Sequence, residues 1–280
     1  MIVWINDALV DEASGGISPF DHGLLTGDGV FETLRVYEGT PFAWRRHIER
    51  LALSAEGMGL AVPESAWLRN ATDEVLAANS LRDARVRITI TGGNAPLGSD
   101  RGDAKPTVIV AASALPPVAA AIDVVTVPWP RNERSAIAGL KTISYGENVR
   151  ALAYAHERGA GEAIFANTIG NLCEGTGTNV FFVADPDGAV TTPPLSSGCL
   201  SGVTRALAIE CCAELGLECR ETDVPVGALA SVHEAFLTST IREIQPIGSV
   251  DGHSLQRSPG LLTDRLSQAF AALVTRDLDP

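Results

Sequence analysis

Apolar and polar positions change period several times along the chain, and each change predicts an element. Ile2 to Ile5 is a short apolar run closed by the turn pair Asn6-Asp7, which reads as a strand. Gly27-Asp28-Gly29 is a second turn, and Thr33 to Val36 then alternates as a half-buried strand. Glu38-Gly39 begins a hairpin return through Pro41-Phe42-Ala43-Trp44. The period then becomes helical, with Ile48, Leu51, Ala52 and Ala55 on one face. A second helix is predicted from about Pro63, a residue suited to a first turn, to about Asn79. Arg85 to Thr91 alternates around Val86, Ile88 and Ile90 and predicts a strand; Thr107 to Ala111 predicts another.

Two prolines and a run of small residues, Leu115 to Ala121, interrupt this order and form the linker candidate. Beyond it, short strands (Val124 to Val127, Glu162 to Ala166, Val180 to Val183, Ala235 to Leu237) alternate with helices. The helices cover Glu147 to Arg158, a segment starting near Val203, and Pro259 to Arg276. In the second of these, Val203, Leu207, Cys211 and Leu215 recur every fourth residue. The expected class is α+β or mixed α/β in two domains: residues 1–115, a linker at 116–121, and a larger domain at 122–280. No GxGxxG opens a helix after a strand, so a dinucleotide fold is not expected.

Composition narrows the function. A formal net charge of −13 argues against nucleic acid or an anionic membrane as partner. No apolar run approaches the ~20 residues of a membrane span, and the first residues lack the basic start of a secretory signal. Five cysteines without zinc or CxxC spacing suit reduced thiols in the cytoplasm, and no metal site is expected.

Only two of the 21 basic residues are lysines. Lys105 precedes a proline in a polar loop, whereas Lys141 lies in the largely uncharged Ala138 to Tyr145 stretch. Desolvation there would lower the amine's pKa and make it a nucleophile toward carbonyls. The other reading is a leftover lysine in a chain that prefers arginine. Glu174-Gly175-Thr176-Gly177 joins a carboxylate to glycines that permit close backbone approach, or is a plain turn. Ser201 is a candidate N-cap ahead of Val203-Thr204, where helix N–H groups and a hydroxyl suit a phosphate. Thr238-Ser239-Thr240 ends a buried strand with three hydroxyls. Arg50 lies on a helix with an apolar opposite face, and its default is a solvated surface side chain. A lysine, a carboxylate, phosphate donors and an arginine are together the parts that bind pyridoxal phosphate.

Their order also resembles a known family. Ser18-Pro19-Phe20-Asp21-His22-Gly23, Gly27 to Thr33, His47-x-x-Arg50-Leu51, Glu174-Gly175 with Asn179-Val180-Phe181, Gly202-Val203-Thr204-Arg205 and Thr238-Ser239-Thr240 resemble the fold type IV, or class IV, pyridoxal phosphate enzymes. These include branched-chain aminotransferases, D-amino acid aminotransferases and aminodeoxychorismate lyases. The resemblance implies that Lys141 forms the Schiff base and carries the proton, Tyr145 meets the cofactor's phenolic oxygen, and Glu174 pairs with its pyridine nitrogen. It implies that Arg50, Val203, Thr204, Ser239 and Thr240 hold the phosphate, and that Leu200 packs on the ring. It also implies a homodimer, a site between the domains, and amino acid and oxo acid substrates.

The first 55 residues are most similar to the lyases, and Thr238-Ser239-Thr240 to the D-amino acid transaminases. The Arg-x-His carboxylate trap of those transaminases is replaced here by Leu97-Gly98-Ser99. Phe31 and Arg87 are the substrate-side candidates; Arg87 either points inward or faces solvent, and Arg101 is the alternative arginine. The expected function is transamination between D-amino acids and small 2-oxo acids, with aminodeoxychorismate cleavage as the alternative. A cofactor-free binding protein is a third reading, against which the retained lysine, glutamate and phosphate contacts weigh.

Overall fold

A computed structural model describes residues 1–186 and 188–280. The chain forms two compact units, each treated by itself: residues 1–116 with 140–145 and 278–280, and residues 117–139 with 146–277.

The first unit contains β1 (Ile2–Ile5), β2 (Ala8–Asp11), a short α1 (His22–Thr26), β3 (Gly29–Tyr37), β4 (Thr40–Pro41), α2 (Trp44–Gly57), α3 (Ser65–Ala78), β5 (Ala84–Thr91) and β6 (Thr107–Ala114). Its sheet has the order β2-β1-β6-β5-β3-β4, with every pairing antiparallel. The period-2 alternation decides which face is covered. Val30, Leu34 and Val36 of β3 and Val86, Ile88 and Ile90 of β5 pack against Ile48, Leu51, Leu68 and Val75 of α2 and α3. Each such fully buried side chain contributes about 1.5–3 kcal/mol. Residues 31, 33, 85, 87 and 89 therefore occupy the opposite face of the sheet.

The structure corrects several expectations in this unit. The hairpin return is only Thr40–Pro41, because proline cannot extend a ladder and Trp44 already begins α2. On α2, Ala52 is exposed and Ser54 takes the buried position. Residues 140–145 and 278–280, assigned from sequence to the second domain, pack with the first unit. Phe31 N–H donates to the Lys141 carbonyl at 3.0 Å and Ile143 N–H to that of Gly29 at 2.9 Å. Val30 and Thr142 thus form a bridge on the sheet edge. Gly29 permits this approach, since a Cβ there would lie 2.7 Å from the Ile90 carbonyl and 2.8 Å from Ile143. Residues 278–280 are held by Ala43 N–H on the Leu278 carbonyl at 2.7 Å and by Arg46 on that of Pro280 at 2.8 Å.

The second unit holds β7 (Ile122–Thr126), α4 (Gly146–His156), β8 (Glu162–Ala166), β9 (Leu172–Gly175), β10 (Asn179–Val183), β11 (Val190–Thr192), α5 (Val203–Glu214), β12 (Cys219–Glu221), β13 (Glu234–Ser239), β14 (Glu243–Val250), β15 (His253–Ser254) and α6 (Leu261–Arg276). Its mixed sheet runs β12-β11-β10-β13-β14-β7-β8-β9, with β15 on β14. The β7–β8 and β14–β7 pairs are parallel, and α4 lies in the β7-to-β8 crossover. No helix among the described residues is long and apolar enough to cross a membrane.

Candidate active site

In the first unit, β3 and the 141–145 segment assemble one cluster. Lys141 is fixed through its backbone: its carbonyl accepts from Phe31, and its N–H donates to Ser54 Oγ at 3.1 Å. Its Nζ lies 4.5 Å from the centroid of the Phe31 ring. The Arg87 guanidinium lies 3.6 Å from the same centroid, and Tyr145 meets the ring edge-on at 5.2 Å. Two cations against one aromatic ring are favourable contacts, and they help keep Phe31 buried at 4 % exposure. Much of Arg87 faces solvent, but burial of its guanidinium pulls its pKa below the ordinary value. Tyr145 opposes that shift and Arg85 adds to it. The structure thus brings Lys141, Tyr145, Phe31 and Arg87 together.

Arg101 belongs elsewhere. It pairs with Asp28 at 3.2 Å and donates to the Met58 carbonyl at 2.6 Å, so it ties the loop to the end of α2.

Arg50 is not the solvated residue its helix position suggests. Its side chain is 11 % exposed, and it donates through Nε and Nη2 to the two oxygens of Glu32 at 2.7 and 2.8 Å. Glu32 is wholly buried and also accepts from His47 Nδ1 at 2.7 Å. Burial alone would raise the Glu32 pKa, but Arg50 and His47 outweigh it and hold the carboxyl far below the usual range. Burial lowers the pKa of His47, against the opposing pull of Glu32.

Both shifts have one sign. Below pH 6.5 the unfolded chain protonates its histidine more readily than the folded chain does, and below pH 4.5 its glutamate. Stability should therefore hold above about pH 7, fall as pH drops through 6.5, and fall more steeply below 4.5. Urea midpoints across that range measure it. His47→Gln should lose the upper limb alone, and a flat curve to pH 4 would contradict the assignment.

The second unit holds a separate hydrogen-bonded set. Glu174, at the end of β9, accepts from the Leu200 N–H at 2.9 Å and has Arg131 Nε at 3.7 Å; both contacts suit a carboxylate anion. Arg131 is itself positioned by Asn148 at 3.1 Å and by the Phe165 ring, 4.3 Å from its guanidinium carbon. Asn179 donates to the Leu200 carbonyl at 2.9 Å and lies opposite Thr238 in the β10–β13 register. Its side-chain oxygen would be 2.1 Å from a Cβ at Gly202, so only glycine fits there.

Gly202, not Ser201, is the N-cap of α5. It has no side-chain cap bond, and the first turn carries no acidic residue. Val203 and Thr204, both buried, therefore open a helix whose N–H groups and dipole favour an anion. Ser239 accepts from the Arg242 N–H at 3.2 Å, and Thr240 follows it at the end of β13.

A phosphorylated pyridoxal can be tested against this donor set. The buried Thr238 Oγ1 has no hydrogen-bond partner, a cost that a ligand acceptor would remove. The uncapped α5 start supplies further donors, Glu174 a carboxylate, and Lys141 an amine. These residues fit the group. Sequence reasoning missed Glu32, His47 and Arg131 altogether and gave Asn179 no role. Glu32 left one signal, a charge in the apolar register of Val30, Leu34 and Val36.

Comparison with known proteins agrees. The model of the family amino-transferase class IV matches residues 29–250. A Methanocaldococcus jannaschii protein with a provisional branched-chain-amino-acid aminotransferase name is 34 % identical over 99 % of this chain and 97 % of its own. The aminodeoxychorismate lyase of Bacillus subtilis is 32 % identical, covering 96 % of this chain and 93 % of its own. The D-alanine aminotransferase of Bacillus licheniformis is 31 % identical and covers 96 % of both. A bacterial branched-chain amino acid aminotransferase solved with N-(5'-phosphopyridoxyl)-L-glutamate superposes with a TM-score of 0.91 at 27 % identity over 98 % of this chain and 94 % of that one. With the family model spanning most of its length and the fold type IV path shared, this chain belongs to the class IV aminotransferases, whose cofactor is pyridoxal 5'-phosphate.

Proposed function

We propose that the protein transfers amino groups between D-amino acids and small 2-oxo acids, with Lys141 as the catalytic residue. The observation that carries the amino acid reading is the Arg87 guanidinium, 3.6 Å from the Phe31 ring whose other cation is Lys141. An arginine beside the reactive amine is suited to a substrate carboxylate, and it stands in for the absent Arg-x-His trap. D-alanine aminotransferases among the relatives support the D configuration.

Bound pyridoxal phosphate supplies a carbonyl that condenses with amines and a ring that accepts the α-carbon's electron pair. In this reading Lys141 Nζ removes the substrate's α-proton and returns it. Glu174 keeps a proton on the ring nitrogen, and Tyr145 donates to the phenolic oxygen. Arg50, Val203, Thr204, Ser239 and Thr240 hold the phosphate, while Leu200 packs on the ring and Phe31 walls the substrate. The homodimer and cytoplasmic location implied by the family belong to the same reading.

Arg87→Ala tests the carboxylate role. It should raise KM for amino and oxo acids about 10- to 100-fold, the worth of a charge-assisted hydrogen bond. A simple amine lacking the carboxylate should be used almost as well as before. Equal losses on both substrates would remove Arg87 from the site. The second reading, aminodeoxychorismate cleavage, is favoured by the Bacillus subtilis relative.

A further inference from the structure

The geometry points to Glu32 as a positioning residue that aims Arg50 at the cofactor phosphate. This rests on the reading of Arg50 as a phosphate contact. Glu32 takes one edge of the guanidinium, Nε at 2.7 Å and Nη2 at 2.8 Å, with a separate oxygen for each. The guanidinium is planar and its donors diverge at fixed angles, so occupying one edge sets the direction of the rest. His47 Nδ1, also buried and 2.7 Å from the Glu32 oxygen that binds Nη2, holds the carboxylate in turn.

The two elements involved are rigid. Glu32 lies in β3, paired along its length with β5, and His47 and Arg50 occupy one turn of α2. A carboxylate in the apolar register of β3 is costly unless fully paired. Structure alone would be served by an apolar residue there, as at Val30 and Leu34. What Glu32 adds is a fixed direction for one cation.

Glu32→Gln separates direction from charge. Glutamine keeps the shape but turns an N–H toward a guanidinium N–H, so one edge contact is lost and the arginine swings. The dissociation constant of pyridoxal phosphate, measured by equilibrium dialysis, should rise about tenfold for Glu32→Gln and about 10- to 100-fold for Arg50→Ala. The double variant should be no weaker than Arg50→Ala, because one residue acts through the other. Arg50→Lys keeps the charge without the fork and should also lose about tenfold or more. Should Glu32→Gln fail to fold, Arg50→Lys carries the test.

Unchanged binding in Arg50→Ala would show that Arg50 does not hold the phosphate, and the underlying reading would fall. Loss in Arg50→Ala with full affinity in Glu32→Gln, additive losses in the double variant, or parental affinity in Arg50→Lys would each overturn the positioning role alone.

Discussion

Lys141→Ala should lower turnover by about 100- to 10,000-fold or more, the range for removal of a positioned acid–base group, while leaving the fold in place. The separation is possible because the structural bonds of residue 141 are made by its backbone. Its carbonyl accepts from Phe31 and its N–H donates to Ser54, and alanine keeps both. What alanine removes is the amine 4.5 Å from the Phe31 ring. That cation–π contact is worth only about 0.5–1 kcal/mol at a partly exposed site, so the urea midpoint should barely move. Borohydride reduction of the parent should leave a pyridoxyl group on the peptide containing Lys141, and the variant should carry none. Lys105 is the chain's only other lysine, so the mapping has two candidates. An adduct on Lys105, or a variant that still turns over, would remove Lys141 from the chemistry.

Much of the chemistry was legible because it depends on rare residues in distinctive surroundings. Lys141 stands out among arginines, and Glu174-Gly175 and Gly202-Val203-Thr204 carry the glycine spacing of close backbone approach. The long alternating strands of the first unit were legible because one face is buried against helices. Short strands such as β11 and β12 have too few residues to show a period, and β14 contains Pro246, which reads as a breaker. The contacts of Arg50, Arg101 and Arg131 were hidden for a different reason. Each depends on a partner brought near by the fold: Glu32 for Arg50, Asp28 for Arg101 and Glu174 for Arg131. A solvated surface arginine and a buried bidentate one look alike in a helix period. The N-cap of α5 was misplaced by one residue because Ser201 is the better capping type, whereas Asn179 leaves room at position 202 only for glycine.

Transamination requires two half-reactions. A transaminase leaves the donor's amino group on the cofactor until an oxo acid collects it; a lyase returns the cofactor unchanged. The absorption spectrum of the holoenzyme with D-alanine alone reads this difference in one titration. Because each donor molecule converts one site, the change should be complete rather than fractional at saturating donor. The long-wavelength band should be lost as pyridoxamine phosphate forms and should return on adding 2-oxoglutarate, with faster conversion by D-alanine than by L-alanine or L-leucine. Conversion by L-leucine with none by D-alanine would contradict the D configuration. No spectral change with any amino acid, together with pyruvate release from aminodeoxychorismate, would contradict transamination itself.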